Sequence, residues 1–405
     1  MAYLNHAGTS WPKPEPVRRA VAAALEAGPG DWGAAYDRGH GALARALDLP
    51  RPERLLLTPG GTSALALALA DVPWAAGDVV LTSRCEHHAV VRPLRQLEAR
   101  GVTVERVGRA GGGAGAAGGA AGGPLDLDAL ERRLAAGGVR LLALTTACNV
   151  TGELLPVEAA ARLAREHGAL VLLDASQTVG WFDHAPLARA ADLLAFAGHK
   201  GLQAPWGLGG LVVAPEVALA PPGAACSLEP PADGAAPACG AMPSFCDAGS
   251  VDRLALAGLE AALPWLDDPA RADRLAAGRA AAARLAEGAR ALGYRLHGDP
   301  DPDARLPTVA LTWGDDPAAQ GEGTPTHVAR RLEGLGVTAS AGHQCAPEAH
   351  EALGTAAHGV LRLSLGATSG PDDVDRALEA LARARPGAAA TGGSPAAHPT
   401  GNRTG

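Results

Sequence analysis

Short continuous apolar runs alternate along the chain with stretches in which apolar residues recur at helical spacing. Strands are predicted at Arg54–Thr58, Val79–Ser83, Val102–Val107, Arg140–Thr145, Ala169–Leu173, Leu193–Phe196 and Gly210–Ala214. Helices are predicted between them, at Ala64–Ala70, Leu125–Ala135 and Val157–His167. Continuous rather than alternating apolar runs suit strands buried on both faces, so an α/β fold with a mostly parallel sheet is expected. After Asp252 the pattern changes to long Ala/Leu/Arg helices, with later strands at Thr308–Thr312 and Val360–Leu365. This predicts a smaller α+β unit at the C-terminal end. The expected division is 15–250 for the large unit, and 1–14 plus 251–385 for the small one. Gly111–Gly123 is almost pure Gly and Ala and reads as a flexible loop, Pro221–Pro243 reads as irregular, and 386–405 reads as a disordered tail.

Composition removes several classes of function. The 405 residues are 47% hydrophobic and 19% charged, enough for a large core in one or two domains. The net charge of −8 argues against a nucleic-acid partner. No apolar run approaches the roughly 20 residues that span a bilayer. Met1–Ser10 lacks the basic and apolar regions of a secretory leader, so a cytoplasmic protein is expected. The six cysteines are scattered without a CxxC pair, which disfavours a disulfide scaffold or a structural metal site.

One count changes the picture. Of the 35 basic residues, two are lysine, Lys13 and Lys200. A lysine retained where arginine is otherwise used suggests chemistry that arginine cannot perform. Lysine can lose its proton, act as a base or form a Schiff base. Chance survival is the alternative.

Four motifs follow predicted strands, where open α/β sheets bind ligands. Gly60-Gly61-Thr62-Ser63 opens a helix and could hold a phosphate on backbone N–H groups and hydroxyls, although an ordinary glycine turn is the plainer reading of that motif alone. Asp174-Ala175-Ser176-Gln177 places a carboxylate at a strand end, as a helix cap, a metal ligand or a counter-ion to a cationic ring. Ala197-Gly198-His199-Lys200 places the rare lysine on the next strand-end turn, 26 residues later. That pairing of acid and lysine is what a pyridoxal phosphate site requires. Glu86-His87-His88 offers an imidazole to stack on a flat cofactor; as a metal pair it is weak, because adjacent side chains diverge.

With these motifs in this order, the chain resembles the aminotransferase class V family of fold type I pyridoxal phosphate enzymes, and within it the SufS-like cysteine desulfurases. The resemblance runs from about Tyr3 to Ala384 and implies a mostly parallel large domain with a smaller α+β domain. It implies that the segment around Gly8 lines the substrate site. It assigns Gly61, Thr62, Ser63 and His199 to the cofactor phosphate, and His87 to the ring face with a catalytic part. Asn149, in Asn149-Val-Thr-Gly152, falls near the ring oxygen and the substrate, and Asp174 and Gln177 at the ring nitrogen and phenolic oxygen. The resemblance makes Lys200 the expected Schiff-base lysine and Arg362 the expected grip on the substrate carboxylate. Ser250, in Asp247-Ala-Gly-Ser250, is by the same resemblance expected to serve the phosphate of the partner subunit in a homodimer.

Cys345, in Ala341-Gly342-His343-Gln344-Cys345-Ala346-Pro347, matches the desulfurase nucleophile; a buried structural thiol is the alternative. The implied activity converts L-cysteine to L-alanine, leaves a persulfide on Cys345 and hands the sulfur to an acceptor protein. The alternatives are another class V reaction (selenocysteine lyase, C–S lyase, aminotransferase or epimerase) or a cofactor-binding protein without turnover. The chain departs from the family pattern at Asn5-His6, Ala197, Ser340 and Gln344, and is shorter between Arg38 and Pro52.

Overall fold

A computed structural model describes residues 1–28, 32–108, 124–183, 185–217, 251–266, 268–314 and 323–385. Ser250, Cys226, Cys239, Cys246, the 111–123 and 221–243 stretches and the tail 386–405 lie outside the described residues.

Near the N-terminus come β1 (Ala2–Tyr3), α1 (Glu15–Glu26) and α2 (Trp32–Ala46). The central sheet then contains β2 (Leu55–Thr58), β3 (Val79–Thr82), β4 (Thr103–Arg106), β5 (Val139–Thr145), β6 (Leu170–Asp174), β7 (Leu193–Ala197) and β8 (Gly209–Val213). Its order is β2-β8-β7-β6-β5-β3-β4, and only β8 runs against the rest. The expected mostly parallel sheet is therefore present. Alternate strand residues feed two apolar layers, as a period of two requires. Leu142, Leu144, Val171, Leu173, Leu194 and Phe196 pack against α2, α5 (Leu127–Ala135), α6 (Val157–Glu166) and α7 (Ala185–Ala190). Leu141, Ala143, Leu172, Leu193 and Ala195 face α3 (Gly61–Asp71) and α4 (His88–Glu98). Burial on both sides explains why these runs are continuous in sequence.

A second sheet contains β9 (Tyr294–His297), β10 (Thr308–Trp313), β12 (Ser340–Gly342) and β13 (Val360–Ser364), in the antiparallel order β12-β13-β10-β9. It packs on α9 (Arg271–Ala291), α10 (Pro325–Gly334) and α12 (Pro371–Ala384). The N-terminal strand joins this unit: β1 pairs parallel with β11 (Val337–Thr338), and Ala2 and Leu4 enter the same core. The apolar pattern does not predict β9 or β12. Ser340-Ala-Gly342 has no strand propensity and is extended because β13 supplies its hydrogen bonds.

A boundary at residue 250 would give α8 (Arg253–Leu266) to the small unit. Its Ala255, Leu256, Leu259 and Leu263 instead complete the core around Leu43 and Leu47 of α2. We therefore place the division after α8.

The register levels the carboxyl ends of the middle strands, since Thr145 pairs with Asp174, and Asp174 with Ala195. The segments that leave these ends carry Asn149, Ser176, Gln177, His199 and Lys200 onto one edge.

Candidate active site

That edge encloses a cavity of ≈ 350 Å³. Gly61, Thr62, Ser63, His87, Asn149, Asp174, Gln177, His199 and Lys200 all line it, together with Ser176, Ala197 and Trp206. Of the thirteen site residues expected from the sequence, these nine meet in one space; Gly8, Arg362 and Cys345 are not part of its lining, and Ser250 lies outside the described residues. Ser176, Thr145 and Trp206 carried no signal of their own in the sequence.

Each wall has a local cause. α3 begins at Gly60 with no side-chain cap, so its first turn presents backbone N–H groups and the helix dipole to the cavity. The absence of a side chain at Gly61 is required. A Cβ there would come within 2.6 Å of Ser176 Oγ. α4 is capped by His87, whose Nδ1 accepts from Ala89 N–H at 3.1 Å. That bond leaves the proton on Nε2. Burial, with the nearby Lys200 charge, pushes the His87 pKa down to about 4, so the ring is neutral at pH 7.

Asp174 is buried at the end of β6, and its Oδ1 accepts from Ser176 N–H at 3.0 Å. Gln177 Nε2 donates to Ala7 carbonyl at 3.2 Å, which ties the N-terminal segment to the cavity. Burial lowers the Lys200 pKa, with the positive Arg362 acting in the same direction and Asp174 opposing. Beneath these groups lies Glu86, with no exposed surface. Its Oε1 accepts from Ser83 Oγ at 2.6 Å and Thr145 N–H at 3.0 Å, while Oε2 has no partner. Burial pushes its pKa up to about 8, so it is a neutral acid at pH 7.

Arg362, on β13, meets the cavity residue Asn149 from the second sheet without itself lining the cavity. Nη1 donates to Asn149 carbonyl at 2.6 Å and Nη2 to Asn5 Oδ1 at 2.9 Å, leaving Nε unpartnered. Burial lowers its pKa to about 10, and it stays cationic. Asn5 thus serves as an acceptor for this guanidinium. Gly8 closes the Asn5 turn through its N–H, at 3.0 Å from Asn5 carbonyl.

Cys345 is exposed and lies outside the cavity lining. Its turn is held rather than free. Asn149 Nδ2 donates to Gln344 carbonyl at 2.6 Å, and His88 N–H donates to Cys345 carbonyl at 2.7 Å. Gln344 and Cys345 both have positive φ, 42° and 59°. Such backbone is uncommon for residues with side chains and is concentrated at functional turns. Gln344 is built into this turn, with Nε2 donating to Val360 carbonyl at 3.2 Å. Ser340 pairs with Arg362 across the β12–β13 ladder. Cys148 is buried and Cys85 half-buried.

Among the residues that line the cavity, two buried polar atoms, Asn149 Oδ1 and His199 Nδ1, have no partner in the protein. Buried polar groups are rarely left unpaired, so both are available to a ligand. The cavity volume falls within the roughly 300–1,000 Å³ of small-molecule sites. A carboxylate, an amide and a lysine converge on one part, an imidazole stands beside them, and an uncapped helix start with two hydroxyls forms another wall. This donor set fits a flat cofactor that bears a phosphate.

The fold and this edge define an α/β enzyme with a lysine at a strand-end turn facing a strand-end aspartate. The chain belongs to the aminotransferase class-V family, whose sequence model matches residues 29–377. A probable cysteine desulfurase of Chlamydia muridarum is 30% identical over 378 residues, covering 90% of this chain and 86% of that protein. A probable cysteine desulfurase of Pseudomonas aeruginosa is 30% identical, covering 86% and 82%. Among solved structures, the apo cysteine desulfurase from Thermococcus onnurineus NA1 superposes with a TM-score of 0.80 at 23% identity, covering 94% of each chain. The Escherichia coli cysteine desulfurase CsdA, in its S-sulfonic acid form, gives 0.77 at 25% identity with the same coverage. These are the folds expected from the sequence.

Proposed function

We propose that this chain is a pyridoxal phosphate-dependent cysteine desulfurase that converts L-cysteine to L-alanine and retains the sulfur as a persulfide on Cys345. The observation that carries the reading is the attachment of the Cys345 turn to Asn149, a cavity residue whose carbonyl also holds Arg362. One residue thereby links the lysine edge, the arginine and the exposed thiol.

The walls fit the cofactor. The α3 start with Thr62, Ser63 and His199 would hold the phosphate, Asp174 and Gln177 the ring's polar edge, and His87 its face. Bound there, pyridoxal phosphate would supply an electron sink for a carbanion at the amino acid's Cα. Lys200, its basicity lowered by burial, holds a neutral amine more readily than a free lysine and can take the Cα proton. Arg362 binds the substrate carboxylate. The Cys345 thiolate attacks the substrate sulfur; the substrate's Cβ–S bond breaks as the new S–S bond forms, and the carbon skeleton leaves as alanine.

A cytoplasmic homodimer that passes sulfur to an acceptor protein completes the reading. In that reading the indole of Trp206, which lines the cavity and is 64% exposed, would be covered by the second subunit. No helix among the described residues is long and apolar enough to cross a membrane. Incubation of the pure protein with L-cysteine and a thiol reductant tests the function. Alanine and sulfide in equal amounts are expected. Pyruvate with ammonia would assign a C–S lyase instead, and absence of any product would leave a binding protein.

A further inference from the structure

The second lysine of the chain has a place in this site that the cofactor chemistry does not use. Lys13 follows the N-terminal strand and reaches the peptide between His199 and Lys200. Its Nζ donates to His199 carbonyl at 3.0 Å and to Ser10 Oγ at 2.7 Å. Ser10 donates to the same carbonyl from its N–H at 3.0 Å and its hydroxyl at 3.1 Å. Thr9 Oγ1 adds a fourth donor at 3.0 Å. A carbonyl oxygen has two lone pairs, so four donors exceed what it can serve fully. The ammonium is the charged one among them and makes the strongest bond. It also fills an acceptor position on the Ser10 hydroxyl, which turns that hydroxyl's own proton toward the carbonyl.

We propose that Lys13 is a positioning residue for Lys200: its ammonium holds the carbonyl of the His199–Lys200 peptide, directly and through Ser10, and fixes the turn from which the reactive amine projects. The proposal rests on Lys200 being the reactive lysine. It accounts for a feature of the sequence. Arginine occupies the other basic positions outside residues 13 and 200, yet a planar guanidinium spreads its donors over a fork, whereas this contact needs one compact nitrogen converging on two oxygens. The two lysines of the chain are then the two ends of one device.

Lys13→Met, Lys13→Arg and Lys13→Gln test this. Amide exchange, followed by mass spectrometry without substrate, reads the contact itself. The Ser10 amide bonds His199 carbonyl, and the Gly198, Gln203 and Ala204 amides close the same turn. Exchange at these amides should be faster by on the order of tenfold in the Met and Arg variants, with β10 and β13 unchanged. The Gln variant, which keeps donors without charge, should recover part of the protection. Turnover of L-cysteine should fall with KM little altered.

A pH profile adds a readout that simple loosening would not give. Burial lowers the Lys13 pKa to about 8, while His6 and His199, which face its charge, are pushed to about 4 and stay neutral through that range. The wild-type rate should therefore contain an alkaline limb near pH 8 that Lys13→Met lacks. Wild-type exchange at Ser10 and Ala204 in Lys13→Met overturns the proposal, as does full recovery in Lys13→Arg. Retained turnover in Lys200→Ala overturns the underlying reading instead, and the exchange data separate the two failures.

Discussion

Lys200 and Cys345 divide the proposed chemistry, and substitutions at each should fail differently. Lys200→Ala should abolish the borohydride-reducible attachment of the cofactor and all turnover while leaving the fold intact; a reducible attachment that persists would move the assignment to Lys13. Cys345→Ser should bind cofactor and L-cysteine but form alanine slower by on the order of a hundredfold or more, because no thiolate receives the sulfur. Mass spectrometry of the wild type after L-cysteine should place one added sulfur on the Cys345 peptide. Near wild-type alanine formation by Cys345→Ser would exclude the persulfide route. Arg362→Lys should raise KM for L-cysteine by on the order of a hundredfold, since an ammonium cannot reproduce a two-pronged grip on a carboxylate. The cysteine pattern illustrates what residues alone convey. The sequence separates Cys345 from Cys85 and Cys148 by its glycine-containing loop, and the structure leaves Cys345 exposed while Cys148 is buried and Cys85 half-buried. The constraint on its backbone was not legible, because the positive φ at Gln344 and Cys345 comes from bonds to Asn149 and His88, far away in the chain.

At the scale of elements, helix starts do much of the site's work. α3 is left uncapped toward the cavity, whereas α4 is capped by a residue that also lines it. His87→Ala should therefore lose two things at once: the cap, at a stability cost of about 1 kcal/mol, and the imidazole beside the ring. His87→Asn restores a cap without an imidazole. The denaturation midpoint should recover in the Asn variant while activity does not, and recovery of both would reduce His87 to a structural role. Secondary elements of the large sheet were readable because burial on both faces writes continuous apolar runs into the sequence. β12 was not, because Ser340-Ala-Gly342 has no pattern and depends on β13 for its shape. The packing partner of α8 is not legible for a related reason: helical periodicity marks an apolar face but does not say which sheet or helix covers it.

For the whole molecule, buried titratable groups set the response to pH. His6, His87, His199, His297 and His350 all have pKa values pushed down to about 4, chiefly by burial. In the unfolded chain each returns toward about 6.5. Below that value the unfolded state binds protons that the native state does not, so stability present above pH 6.5 is lost as pH falls toward about 4. Glu86 and Asp71 act in the opposite sense, because burial raises them to about 8 and about 6. Five histidines outweigh two acids, and the denaturant midpoint should fall between pH 6.5 and 4. A midpoint that rises across that interval would contradict the neutral burial of these rings. The proposed dimer belongs at this scale too. Light scattering at micromolar protein should give twice the chain mass, and a cofactor-loaded monomer would remove the partner-subunit role expected for Ser250.

The sequence by itself determined the sheet, its parallel character, the order of the motifs and the identity of the reactive types. Each follows from local pattern: apolar runs, strand-end turns and the rarity of lysine. Only the tertiary structure decided how the motifs meet. The register that levels β5, β6 and β7 brings Asn149, Asp174 and Lys200 to one edge, and the second sheet delivers Arg362 to Asn149 across 213 positions of chain. The N-terminal segment returns 186 positions to place Lys13 on His199. Contacts of such separation depend on packing between elements, and no local pattern of side chains encodes them.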